Sequence, residues 1–191
     1  MKAVSKLGLL VAVALLAAAA VAASAQAVSI NPDNTAVSGV SSNSNLSYGV
    51  AFVTCDNATA NGNTGLDSDS VPDLALAFDT NCAVAGVGPA SVDCVGDVTL
   101  IAENATNDRG TVNLNDGFEC TVTTALCSIT VAGPQTTQSE NTGLDEANDI
   151  LSASVDVAAT RSGSLACGPA SGTATFAADY VTDPTDLTID P

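Results

Sequence analysis

From Leu151 to Thr160 the chain alternates without a break. Leu151, Ala153, Val155, Val157 and Ala159 are apolar; Ser152, Ser154, Asp156, Ala158 and Thr160 stand between them. A period of two puts the first set on one face of an extended strand and the second on the other. The same pattern recurs in Leu46, Tyr48, Val50 and Phe52, in Leu74, Leu76 and Phe78, and in Val98, Leu100 and Ala102, with Ile101 on the opposite face. It recurs again in Val112 and Leu114, leading to Phe118, Cys120 and Val122, then in Cys127, Ile129 and Val131, and last in Phe176, Ala178 and Tyr180. Turn residues punctuate these runs at Gly110, Asn115-Asp116-Gly117, Gly133-Pro134, Gly168-Pro169 and Gly172. Helical periodicity is weak, with room for one turn at Asp145–Leu151. Many short, half-polar strands predict an all-β domain, and strands with one wet face suit an antiparallel β-sandwich of immunoglobulin-like or Greek-key type.

The N-terminus reads differently. Lys2 and Lys6 precede an apolar run from Leu7 to Ala23, and Ala23-Ser24-Ala25 and Ala25-Gln26-Ala27 are small-x-small sites. This is the order of a secretory signal peptide, expected as a helix over residues 1–25. Residues 26–191 are then one exported β-sandwich domain of about 165 residues, long enough for a real core. Secretion, to the cell surface or periplasm if the host is bacterial, with no stable membrane insertion after cleavage, is the expected outcome.

All six cysteines, Cys55, Cys82, Cys94, Cys120, Cys127 and Cys167, lie in the exported part. An even count in such a chain predicts disulfides, with fifteen possible pairings for six cysteines. Local spacing favours Cys82 with Cys94 across Gly86, Gly88 and Pro89, and Cys120 with Cys127 across a short hairpin; Cys55 and Cys167 remain. Metal or redox roles would want C-x-x-C pairs, and the chain has none.

Two long polar connections are expected, over 56–73 and 135–149. Each contains the same pentamer, Asn63-Thr64-Gly65-Leu66-Asp67 and Asn141-Thr142-Gly143-Leu144-Asp145. In the first, Asp67, Asp69 and Asp73 are spaced to converge on a hard cation; in the second, Asp145, Glu146 and Asp149 offer a looser set. The segment ending Val71-Pro72-Asp73 resembles the calcium loops of thrombospondin type 3 repeats, without their full Asp series or central glycine. The resemblance implies a calcium-stabilised, adhesion-like module. Calcium is therefore the one ion to look for; no other cofactor is expected.

The charge balance narrows function. The chain has 21 acids, four cations and a formal charge of −17. Loss of Lys2 and Lys6 leaves Arg109 and Arg161 against the 21 acids, a charge of −19. A polyanion repels nucleic-acid phosphates and anionic membrane surfaces. Without histidine there is no Ser-His-Asp or Cys-His arrangement, and without lysine in the exported part there is no Ser-Lys dyad or Schiff base. The chain is thus expected to be a non-enzymatic structural or binding protein, with a protein or cell-envelope partner.

A second resemblance bears on that role. Cys82…Cys94 followed by Glu119-Cys120-Thr121-Val122-Thr123-Thr124-Ala125-Leu126-Cys127 is similar to the two local bridges of the neocarzinostatin family of chromophore-binding proteins. It implies an extracellular carrier of a small apolar ligand.

Overall fold

The computed structural model describes residues 28–66, 68–79, 81–104, 109–137 and 142–190. The leader lies outside them, as do Asp67 and Asn141. The first strands are β1 (Ser29–Asn31), β2 (Ala36–Ser41), β3 (Asn45–Tyr48), β4 (Ala51–Cys55), β5 (Ala58–Asn63) and β6 (Ser70–Phe78). Then come β7 (Cys82–Val84), β8 (Gly88–Val95), β9 (Asp97–Asn104), β10 (Arg109–Leu114), β11 (Glu119–Thr124) and β12 (Cys127–Ala132). The last are β13 (Gln135–Thr136), β14 (Gly143–Asp145), β15 (Ile150–Gly163), β16 (Ser171–Asp183) and β17 (Thr188–Asp190). The described residues hold no α-helix; a single 3-10 turn spans Leu165–Cys167.

These strands join end to end into eight staves. β2 and β3 form the first, then β4 with β5, β6 with β7, β8 with β9, β10 with β11, and β12 with β13 and β14; β15 and β16 are the seventh and eighth. Each stave is antiparallel to the one before it in sequence. The last then pairs with the first, Val181 opposite Val40 and Phe176 opposite Leu46. The result is a closed eight-stranded up-and-down barrel, not the expected two-layer sandwich. Alternation cannot separate the two, because inward and outward positions alternate along the strands of both. The closing β16 contacts with β2 and β3 decide it.

Most staves break near mid-length, which lets a closed sheet turn its corners. In the fourth, Gly96 stands at φ +75°, and a Cβ there would lie 2.7 Å from the Gly117 carbonyl oxygen. Only glycine fits where staves four and five change register.

The period-two sets are the inward faces. Val155, Val157, Ala159, Ile129, Val131, Val98 and Tyr180 are buried, while Ser and Thr predominate at the outward positions of β15 and β16. The run from Leu46 to Phe52 departs from its reading as one strand. It is a hairpin turned at Gly49 and Val50, so Tyr48 points in and Phe52, 44% exposed, points out. The two expected long connections are likewise partly strand: 56–73 contains β5 and the start of β6, and 135–149 contains β13 and β14. Polar side chains on outward positions made these strands look like loop. Residues 146–149 form a turn and Ile150 already belongs to β15, so the helical turn expected there is absent.

The ends of the barrel differ. The short turns at Gly49–Val50, Ala85–Val87 and Ala125–Leu126, and the connection from Ser164 to Ala170, carry no acid. The opposite end carries Asp33, Asp69, Asp145, Glu146, Asp186 and Asp190, and is covered by the antiparallel pair β1–β17 with Ile30 opposite Ile189. At the acid-free end Tyr48 is fully buried, and its hydroxyl lies 3.2 Å from the Ala159 carbonyl oxygen and 3.1 Å from that of Pro169.

Candidate functional site

The barrel is not filled. A cavity of about 110 Å³ lies inside it, walled by side chains such as Leu46, Leu76, Leu100, Val112, Leu151 and Phe176. These six face inward yet are only partly buried, because their inner surfaces border the hollow. Protein interiors are normally close-packed, and voids larger than a water molecule are few. Cavity data assign about 24 cal/mol to each Å³ left empty, so a hollow of this size forgoes about 2.6 kcal/mol of packing. A filling molecule would restore that contact. An apolar cavity of about 150 Å³ stays dry and admits benzene, so this one suits a molecule of that order or slightly smaller.

Phe78 on β6 and Phe176 on β16 meet inside the barrel, ring centroids 6.2 Å apart and planes at 89°. Their staves are not hydrogen-bonded neighbours, so this contact crosses the interior.

The polar residues in the lining are few, Ser44, Asn45, Thr142 and Tyr180, and the accessible wall is almost entirely apolar. Ser44 and Tyr180 are 2% and 3% exposed, and their hydroxyl oxygens are buried with no hydrogen-bond partner among the described residues. Burial pushes the Tyr180 phenol well above its ordinary range, so it stays a neutral donor. The two belong to one seam, where the first and eighth staves close the barrel. Between Ser41 and Asn45 the first stave makes a short break, and Asn43 points outward from it. The Asn43 amide donates to an Asp179 carboxylate oxygen at 2.9 Å, and its own oxygen accepts the Asp179 backbone N–H at 3.1 Å. Strand alternation then turns Ser44 and Tyr180, the next residues in each stave, inward. Asp179 also accepts from the Ser152 hydroxyl at 2.6 Å. That bond, then the one from Asn43, holds its carboxyl below the usual aspartate range despite some desolvation.

All six cysteines are bridged, but not in the expected pairs. The disulfides are Cys55–Cys82, Cys94–Cys120 and Cys127–Cys167. Register explains the correction. Cys82 lies opposite Ala90 in the β7–β8 hairpin, four residues short of Cys94. In the β11–β12 hairpin Cys120 lies opposite Val131, while Cys127 comes straight after the two-residue turn. Cys55 faces Cys82 directly, and Cys94 faces Cys120. Cys127 joins the 3-10 turn that closes the acid-free end. The local bridges that carried the neocarzinostatin resemblance are therefore not formed.

The six carboxylates expected to favour calcium are spread through turns. Asp67 lies outside the described residues; Asp69 and Asp73 are exposed. Asp145 caps its own turn, accepting from the Ala147 backbone N–H and the Asn148 amide. Glu146 accepts the Ile189 backbone N–H at 2.9 Å, and Asp149 contributes its backbone carbonyl to Thr182. Among the described residues no three Asp, Glu, Cys or His side chains gather into a metal-binding group. The pentamers mark a different role, in their threonines. Thr64 is buried, accepts the Thr35 N–H and donates to the Pro32 carbonyl; Thr142 is buried and accepts the Ser154 N–H. Both tie down strand ends at the acidic end of the barrel.

Comparison with family models, curated proteins and solved structures finds no match for this chain. Three disulfides fit an oxidising extracellular or periplasmic compartment. Among the described residues no helix is long and apolar enough to cross a membrane.

Proposed function

We propose that this chain is an exported, non-catalytic binding protein that carries a small, predominantly apolar molecule inside its barrel. The observation that carries this reading is the hollow of about 110 Å³ walled by Leu, Val and Phe. Eight-stranded barrels have an interior just wide enough to be filled by side chains or to hold one small ligand. Here the side chains stop short of filling it. The leader and the three bridges support export. The wall chemistry supports a barrel that works in water. Apolar residues face in while Ser, Thr and Asp face out, the reverse of the pattern in a membrane-spanning barrel.

Benzene is the direct probe. A rise in melting temperature with benzene, together with methyl NMR shifts confined to lumen residues such as Leu46, Val112 and Leu151, is the expected result. Unchanged melting and unchanged methyl spectra at saturating benzene would remove the carrier reading.

A further inference from the structure

We infer that the carried molecule enters and leaves the lumen through the acidic end of the barrel, beneath the β1–β17 pair, which acts as its lid. This rests on the carrier reading and adds the way in. The two ends of the interior are packed differently. At the acid-free end Tyr48, Val84, Ile129, Cys167 and Ala174 are at most 1% exposed and do not line the lumen. The Tyr48 hydroxyl lies within bonding distance of the Ala159 and Pro169 carbonyls there, and the Cys127–Cys167 bridge ties the connecting turn to β12. A guest leaving that way would have to break up close-packed side chains.

Toward the acidic end the interior stays open. A second hollow of about 20 Å³, about the room one water molecule needs, lies under the lid. Ile30 of β1 and Ile189 of β17 line it, and Leu100, Thr142 and Leu151 line both this hollow and the lumen. Those three side chains are therefore the partition between the two spaces, and the lid stands on its far side. The lid is lightly held. β1 and β17 form a two-stranded sheet of their own, joined to each other over three residue pairs and sharing no ladder with the staves. The Ile30 N–H donates to the Ser68 carbonyl and the Ile189 N–H to the Glu146 carboxylate, both at 2.9 Å. A pair of short strands is marginally stable by itself, and segments with few ties open far more readily than the body of a closed sheet. Elements of this kind gate access to enclosed sites.

Benzene exchange, measured by NMR, tests this on the wild-type protein, Glu146→Ala, Ile189→Ala and Tyr48→Phe. Glu146→Ala removes the carboxylate that holds the Ile189 N–H, and Ile189→Ala removes a cover of the second hollow. Tyr48→Phe loosens the packed end instead. None of the three residues lines the lumen. Both lid substitutions are expected to raise the rates of benzene entry and exit together. The rise is about tenfold for Glu146→Ala, which loses a hydrogen bond to a charged group, with affinity kept within about twofold of wild type. Tyr48→Phe is expected to leave both rates unchanged. If neither lid substitution speeds exchange, or if Tyr48→Phe speeds it as much, the entrance at the acidic end is overturned and the carrier reading stands. If the lid substitutions change affinity without moving entry and exit together, the pair shapes the lumen rather than opening it, and the entrance is again overturned. If benzene does not bind the wild-type lumen, both readings fall together.

Discussion

Phe78 and Phe176 touch edge to face across the barrel, linking the third and eighth staves, which share no hydrogen bond. The T-shaped geometry sets the positive edge of one ring against the negative face of the other. This contact also bounds the lumen. Phe78→Ala is expected to destabilise the protein by about 3 kcal/mol, the low end for such a truncation because the ring already borders a hollow. The same change should let the lumen accept a larger guest. Urea denaturation, and a benzene-to-naphthalene comparison by thermal shift, check both halves.

Two buried tyrosines are expected to respond to loss of the hydroxyl with opposite signs. The Tyr180 hydroxyl has no partner among the described residues, so Tyr180→Phe should raise the stability of the protein by about 1–3 kcal/mol, the penalty for an unmade buried bond. The Tyr48 hydroxyl lies within bonding distance of the Ala159 and Pro169 carbonyls, so Tyr48→Phe should lower stability by about 1 kcal/mol or slightly more. Thermal melts of both variants without ligand decide the matter; a loss of stability in Tyr180→Phe would mean its hydroxyl is satisfied.

Peptide mapping without reduction should recover the pairs Cys55–Cys82, Cys94–Cys120 and Cys127–Cys167. The bridges span 27, 26 and 40 residues. In the chain-entropy model the first two contribute about 3.5 kcal/mol each and the third about 3.9. Replacing Cys127 and Cys167 together by Ala should therefore shift the urea midpoint at least as far as replacing either other pair.

Asp179 should give stability a pH signature. Its folded-state pKa lies below its ordinary value because Ser152 and Asn43 hydrogen-bond the carboxylate. The contribution is then fully present above the unfolded value, near 3.9, and is lost as pH falls through the folded one. Wild type should exceed Asp179→Asn in urea midpoint at pH 6, and the gap should narrow by pH 2. An equal gap at both values would show that Asp179 acts without its charge.

The terminal pair β1–β17 should depend on salt more than the staves do. Asp33, Glu146, Asp186 and Asp190 lie at that end, and the Glu146 carboxylate holds the Ile189 N–H. Self-repulsion of this kind is screened by ions. Amide exchange at Ile30 and Ile189 should slow between low salt and 1 M sodium chloride, while exchange at Val155 and Val157 changes little.

Much of the lumen wall was legible in the alternation. Leu74, Leu76 and Phe78, Val98 and Leu100, Val112 and Leu114, and Phe176 and Tyr180 all appear in the sequence as one-sided apolar sets, and all border the cavity. That the cavity exists was not legible, since whether inward side chains meet or leave a space depends on the curvature of the sheet. Ser44 was invisible too. It stands in a Ser- and Asn-rich stretch that reads as a polar connection, and strand alternation from Leu46, with the Asn43–Asp179 latch holding the break, turns it inward. No apolar neighbour or motif marked it.

By itself the sequence determined that the chain is β-rich, which face of most strands is apolar, that all six cysteines lie after the apolar N-terminal run, and that residues 26–191 form a polyanion lacking histidine and lysine. These are properties of local order and composition. The tertiary structure decided that the sheet closes, which cysteine meets which, and that the closed sheet keeps a hollow. The physical reason is register. Cys94 meets Cys120 rather than Cys82, and Val181 meets Val40, because of how far one stave slides along the next; a repeat of two residues specifies faces but not that distance.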